Sequence, residues 1–119
     1  MPQLSIVVPV YNEAATVRTL LARVMAVPIP KEIIVVDDCS SDGTREILEQ
    51  FRRETPDTHD NRFVFDFHAE NQGKGAAIRT ATQHVSGDIA LIQDADLEYD
   101  PTEYPRLIQP ILDGHADVV

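Results

Sequence analysis

The chain has 119 residues, 43% of them hydrophobic, with 20 Asp and Glu against 10 Lys and Arg for a formal net charge of −10. That length supports one domain with a real core and excludes two, and the apolar share excludes a disordered chain. The negative balance excludes nucleic acid as an expected partner, because binding its backbone needs positive charge to displace counterions.

Four short apolar runs read as buried strands: LSIVVPV (4–10), EIIVVDD (32–38), FVFDFH (63–68) and DIALIQDA (88–95), with DVV (117–119) as a fifth. The second and fourth are nearly continuous Val, Ile and Leu, as in strands covered on both faces. Between the first two, a helix is expected from just after Asn12, its cap, through about Met25; Val17, Leu20, Leu21 and Val24 follow helical spacing. Pro28 and Pro30 stop it. A second helix is expected after SSDG, capped by Ser41 or Asp42 and carrying Ile47, Leu48 and Phe51. The polar stretch 52–62, with Pro56, reads as the end of that helix and a surface loop. A third helix begins near Gly73 or Lys74 and carries Ala76, Ala77, Ile78, Ala81 and Val85. A fourth has Asp100 as cap and Pro101 at its first position, with a kink or break at Pro110. Strands alternating with helices predict an α/β fold with a mostly parallel central sheet and right-handed crossovers.

The N-terminal stretch MPQLSIVVPVYNE lacks a basic region and a long apolar run, so it does not read as a signal peptide. The single cysteine, Cys39, rules out an internal disulfide and a thiolate zinc cage, which makes a reducing cytoplasm the expected setting. The apolar run at the C-terminus has no turn signal after it. The domain, residues 1–119, is therefore expected to be incomplete at that end, with an edge open to self-association into a homo-oligomer.

In an open parallel sheet, ligands bind beyond the carboxyl ends of the strands, near the switch in strand order. The residues just after each apolar run are the informative ones. Asp94 and Asp96, two apart, point to the same side of an extended segment. As hard oxygen donors they suit Mg²⁺ or Mn²⁺ beside a phosphate; as neighbours of a helix start they also read as a plain acidic N-terminal cluster. Both readings stand on the residues alone. Asp37 and Asp38 form an ionised pair at a buried strand end, which is costly unless hydrogen-bonded or matched by a ligand such as ribose hydroxyls. NQGKGAA (71–77) places Lys74 between two glycines at a helix start, where phosphate is attracted, but it has neither the Walker A nor the GxGxxG spacing. The four histidines lack metal-ligand spacing, and no Ser-His-Asp or Cys-His arrangement is supported.

SIVVPVYNE, EIIVVDDCSSDGT, NQGKGAA and QDADLEYDP occur together in this order. In that, the chain resembles the nucleotide-sugar-binding part of family 2 glycosyltransferases. It is most similar to the group acting on dolichyl and undecaprenyl phosphate. The resemblance implies a Rossmann-like GT-A three-layer sandwich and inverting transfer from a GDP- or UDP-sugar, GDP-mannose among them, to an acceptor such as a polyprenyl phosphate. It implies that Pro9, Tyr11, Glu13, Val36 and Asp38 line the base and ribose pocket. It also implies that Asp94, Ala95 and Asp96 form the DxD segment on the donor, and that Asp94 and Asp96, with Glu98, hold Mg²⁺ or Mn²⁺ and serve catalysis. Cys39 stands where the family often has glycine. A polyprenyl acceptor implies peripheral association with the cytoplasmic face of a membrane. Two other classes compete. A sugar-nucleotide nucleotidyltransferase would want a Gly- and Lys/Arg-rich loop after the first strand, which VPVYNEAATV lacks. A non-catalytic module that binds a nucleotide or protein partner is the alternative from outside enzymology.

Overall fold

A computed structural model describes residues 3–95. The expected fourth helix and fifth strand, with Asp96 and Glu98, lie outside the described residues. Four parallel strands, β1 (Leu4–Val10), β2 (Lys31–Asp37), β3 (Asn61–Phe67) and β4 (Ile89–Ile92), form one sheet in the order β3-β2-β1-β4. Helices α1 (Val17–Ala26), α2 (Thr44–Glu54) and α3 (Lys74–Thr82) make the crossovers.

Strand periodicity sorts the core into two faces. Leu4, Ile6, Val8 and Val10 of β1 and Ile33 and Val35 of β2 form one cluster with Val17, Leu20, Leu21 and Val24 of α1 and Leu48 and Phe51 of α2. The alternate residues, Val7, Ile34 and Val36, form a second cluster with Ala77 and Ala81 of α3. The result is three layers: α1 and α2, the sheet, then α3. Full burial of each large aliphatic contributes about 1.5–3 kcal/mol, so the α1 stripe alone is a major stabilising element. All seven residues of β1 and of β2 are buried, as their apolar runs require. On β3 the aromatic side chains are only half covered, and Arg45 and Arg52 lay guanidinium groups over the rings of Phe67 and Phe65.

Two helix starts differ from the sequence expectation. Asn12 does not cap α1. Its backbone is left-handed (φ 51°), and a turn from Glu13 follows, in which Thr16 N and Val17 N both donate to Glu13 O. The helix therefore begins at Val17 with Thr16 at the cap position. For α2 the cap position falls on Gly43, at φ 95°, which suits a residue without Cβ. Asp42, one residue earlier, still accepts from Thr44 N at 3.1 Å. At the opposite end of the sheet, Gly87 lets β4 start tight against β1: a Cβ there would stand 2.6 Å from Ser5 Oγ and 2.7 Å from Gln3 O. Among the described residues, no helix is long and apolar enough to cross a membrane.

Candidate functional site

The strand order reverses at β1. The chain moves outward from β1 to β2 and β3, then returns to place β4 on the other side of β1. The crevice opened there, at the carboxyl ends of the strands, is where such sheets take ligands. A cavity of about 410 Å³ lies there. The β1 end contributes Pro9, Val10, Tyr11 and Glu13, the β4 end Asp94 and Ala95, and β2 contributes Asp38. The segment leading into α3 adds Asn71, Gly73, Lys74 and Ala77.

The loop after β1 is fastened to the loop after β2. Asn12 N donates to Ser40 Oγ (2.9 Å), Ser41 N to Asn12 Oδ1 (2.8 Å), Glu13 N to Thr44 Oγ1 (3.0 Å) and Ala14 N to Asp42 Oδ2 (3.2 Å). Asp42 is held below the ordinary carboxylate pKa, first by the Thr44 hydroxyl, whose effect outweighs partial desolvation, and then by the Ala14 and Thr44 amides. This lacing fixes the backbone that carries Tyr11 and Glu13 into the cavity. Tyr11 is 48% exposed where it lines the cavity. Thr16 ties the third strand end in: its hydroxyl donates to Ala95 O at 2.7 Å and lies 3.0 Å from Glu13 Oε2.

The neighbouring carboxylates Asp37 and Asp38 part company because successive strand residues face opposite sides. Asp37 turns to the α1/α2 side, where it accepts from Ser40 Oγ (2.5 Å) and Ser40 N (3.1 Å). Asp38 turns to the α3 side. Its Oδ1 meets His68 Nδ1 (2.8 Å) and Gln72 N (2.9 Å), and its Oδ2 accepts from Gly73 N (2.8 Å). Burial alone would raise its pKa, but the hydrogen bonds from His68, Gln72 and Gly73 outweigh it, and the carboxyl stays below its ordinary value. His68 passes on through Nε2 to Thr80 Oγ1 at 2.8 Å. The buried acidic pair is thus satisfied by the protein itself, and Asp38 anchors the start of α3 at the cavity wall.

Asp94 follows β4 by two residues and is 27% exposed; its Oδ1 lies 2.5 Å from the ammonium of Lys74, which is 59% exposed. Among the described residues, no three His, Cys, Asp or Glu side chains gather to hold a metal ion. Of the residues expected in the pocket, Pro9, Tyr11, Glu13, Asp38, Asp94 and Ala95 are brought together around the cavity. Val36 is not: it is fully buried in the cluster beneath, with Ala77 and Ala81. The sequence reading marked NQGKGAA as a helix start that attracts phosphate but did not count Asn71, Gly73 and Lys74 among the pocket residues. Their signal was the NQGKG segment, whose place on the sheet depends on a strand pairing that spacing alone does not fix.

Cys39 has a left-handed backbone (φ 60°), which accounts for a position suited to glycine.

The family model described as glycosyl transferase family 2 matches residues 5–119. The undecaprenyl-phosphate 4-deoxy-4-formamido-L-arabinose transferase of Yersinia enterocolitica is 39% identical over 98% of this chain and 36% of its own length. That of Aeromonas hydrophila is 36% identical over 97% of this chain and 35% of its own. The chain thus spans about a third of the length of the curated relatives it matches. Among solved structures, Staphylococcus aureus TarS 1-349 in complex with UDP superposes with a TM-score of 0.77 at 26% identity, covering 97% of this chain and 33% of TarS 1-349. The mannosyltransferase PcManGT from Pyrobaculum calidifontis, in complex with GDP-Man and Mn²⁺, gives 0.73 at 33% identity, covering 80% of this chain and 28% of that one. The three layers and parallel sheet are accordingly of the GT-A type. By the extent of the match as well as by its fold, the chain belongs to glycosyl transferase family 2.

Proposed function

We propose that residues 1–119 form the donor-binding part of a glycosyltransferase that moves a sugar from a GDP- or UDP-sugar to an acceptor by an inverting displacement. The observation that carries this is the cavity at the strand-order reversal, lined by Tyr11 and Glu13 after β1, Asp94 after β4 and Lys74 at the start of α3. Tyr11 offers an exposed ring for a base and Glu13 an acceptor for ribose hydroxyls, while Asp38, spent on His68, Gln72 and Gly73, holds the pocket wall in place. Pro9 and Ala95 complete the wall, and Val36 supports its floor from the core.

Asp94 is a hard carboxylate donor of the kind that, with substrate phosphates and water, suits a divalent cation; the Lys74 ammonium now pairs with it and would have to give way. Asp94 would be joined by Asp96 and Glu98, which lie outside the described residues. Mg²⁺ or Mn²⁺ bound there would neutralise charge building on the departing nucleoside diphosphate. A polyprenyl-phosphate acceptor, the substrate named for the bacterial relatives, is already anionic and needs no strong base in this chain. Such an acceptor puts the protein at the cytoplasmic face of a membrane.

The test is calorimetric titration with GDP-mannose, UDP-glucose and UDP-GlcNAc, with and without Mn²⁺. One of the three is expected to bind in a Mn²⁺-dependent way, and Asp94→Asn is expected to abolish that dependence. Absence of binding by all three would refute the proposal. Turnover with a polyprenyl phosphate then separates a transferase from a module that only binds.

A further inference from the structure

Lys74 is the first residue of α3, and its two ends behave differently. The backbone from which it springs is fixed, since Gln72 N and Gly73 N both donate to the buried Asp38. Its side chain is largely in solvent, a flexible four-carbon stem carrying a compact charge. The charge reaches Asp94 Oδ1 at 2.5 Å, in the lining of the cavity. An ammonium in contact with a carboxylate oxygen and a divalent ion on that same oxygen exclude each other, both by volume and by repulsion. A diphosphate entering the cavity gives the displaced ammonium another set of anionic oxygens within the reach of its stem.

We infer that Lys74 is an exchangeable counter-cation: it neutralises Asp94 in the ligand-free chain, yields that carboxylate to the divalent ion, and moves to the diphosphate of the nucleotide. This rests on the donor-site reading above and deepens it. It makes Lys74 a positioning residue that links two ligands. Metal alone has to displace an ion pair and binds weakly. Metal arriving with a nucleoside diphosphate finds the lysine engaged elsewhere, so each ligand raises the affinity for the other.

The experiment measures Mn²⁺ uptake by the 119-residue chain from the electron paramagnetic resonance of free Mn²⁺, alone and with GDP or UDP. Lys74→Met is expected to bind Mn²⁺ alone about three- to tenfold more tightly, the scale set by losing a partly exposed ion pair and its repulsion. The same variant is expected to bind the nucleotide in saturating Mn²⁺ about tenfold more weakly, having lost a charge-assisted contact. Lys74→Arg, which keeps the charge, is expected to stay near the unaltered chain in both. Opposite signs are the signature, because local damage to α3 would weaken both. Unchanged or weaker Mn²⁺ binding by Lys74→Met, in a chain that still binds Mn²⁺ with nucleotide, overturns the exchange and leaves the donor site standing. No Mn²⁺-dependent nucleotide binding by the unaltered chain overturns both.

Discussion

The two ends of the sheet each hold a cavity of about 410 Å³, and they differ in chemistry. At the carboxyl end the walls carry Glu13, Asp38 and Asp94 with Lys74; at the amino end they carry Lys31, His59 and Arg62. Volume does not distinguish them. What the polar groups are committed to does. At the amino end Glu32 is buried and accepts from Ser5 Oγ (2.7 Å), Ser86 N (3.0 Å) and Ser86 Oγ, while the Lys31 ammonium donates to Val27 O (2.8 Å) and Ile29 O (3.1 Å). These charges fasten β1, β2 and the turn before β4 to one another. At the carboxyl end Asp37 and Asp38 are committed in the same manner, but Asp94, among the described residues, meets the largely exposed Lys74 ammonium at the cavity. Where the strands begin, the buried Lys31 and Glu32 close the fold; where they end, the partly exposed Asp94 faces a cavity.

The sharpest way to break this comparison is Asp38→Ala, since Asp38 serves both purposes. It would leave His68 Nδ1 and the amides of Gln72 and Gly73 without their acceptor. Removing one member of a buried charged network costs about 3–5 kcal/mol, so a large fall in the urea midpoint is expected, with nucleotide binding lost as the start of α3 is freed. Glu32→Ala should cost somewhat less, about 2–4 kcal/mol, because hydroxyls and one amide rather than an imidazole lose their partner. Unlike Asp38→Ala, it should leave Mn²⁺-dependent nucleotide binding unchanged in conditions where the chain is folded. If binding by Glu32→Ala falls as far as stability does, the two ends are not separable.

Lys31 gives a pH test of the amino end. Burial lowers its pKa to about 8 from 10.5, against the opposing attraction of Asp60. The unfolded chain therefore holds this proton over a range in which the folded chain has released it. Stability from this group rises with pH between about 8 and about 10.5, and the charged form is penalised below that window. Urea unfolding of the unaltered chain and of Lys31→Met across the window should show the difference moving by about 1–2 kcal/mol in favour of the unaltered chain as pH rises. A flat difference would mean that Lys31 is solvated. Smaller still is Cys39→Gly. The left-handed backbone there strains any side chain with a Cβ by about 1–2 kcal/mol, while glycine adds freedom to the unfolded chain. A net gain of about 0.5–1 kcal/mol is expected in the same assay.

Much of the frame was legible in the sequence because it depends on local pattern. The apolar runs marked the strands, β1 to the residue, and the alternation of strands and helices implied parallel pairing. The start of α1 was not legible, because the Asn12 side chain is spent on Ser41 N in a different loop, a contact 29 residues away. The buried state of Val36 follows from which face of β2 it occupies, set by the pairing of Val36 with Pro9 and not by its own neighbours. The Asp38–His68–Thr80 chain likewise joins three segments whose spacing carries no motif. Local chemistry is readable from spacing; commitments between strand ends appear only once the strand order is known.

Asp94→Asn should have the smallest effect on stability of all these changes. The Lys74–Asp94 pair is partly exposed, and such pairs contribute between nothing and about 1 kcal/mol. The asparagine keeps the shape and still accepts a hydrogen bond from the ammonium, so a loss within about 0.5 kcal/mol is expected by urea unfolding. Its effect on ligands should be the reverse of its effect on folding, because a neutral amide is a poor donor to Mg²⁺ or Mn²⁺ compared with a carboxylate. A near-silent change in stability with loss of Mn²⁺-dependent nucleotide binding would set Asp94 apart from Asp38 and Glu32, whose carboxylates hold the fold together. A stability loss as large as that of Glu32→Ala would instead make Asp94 one more structural anchor and erase the contrast between the two ends of the sheet.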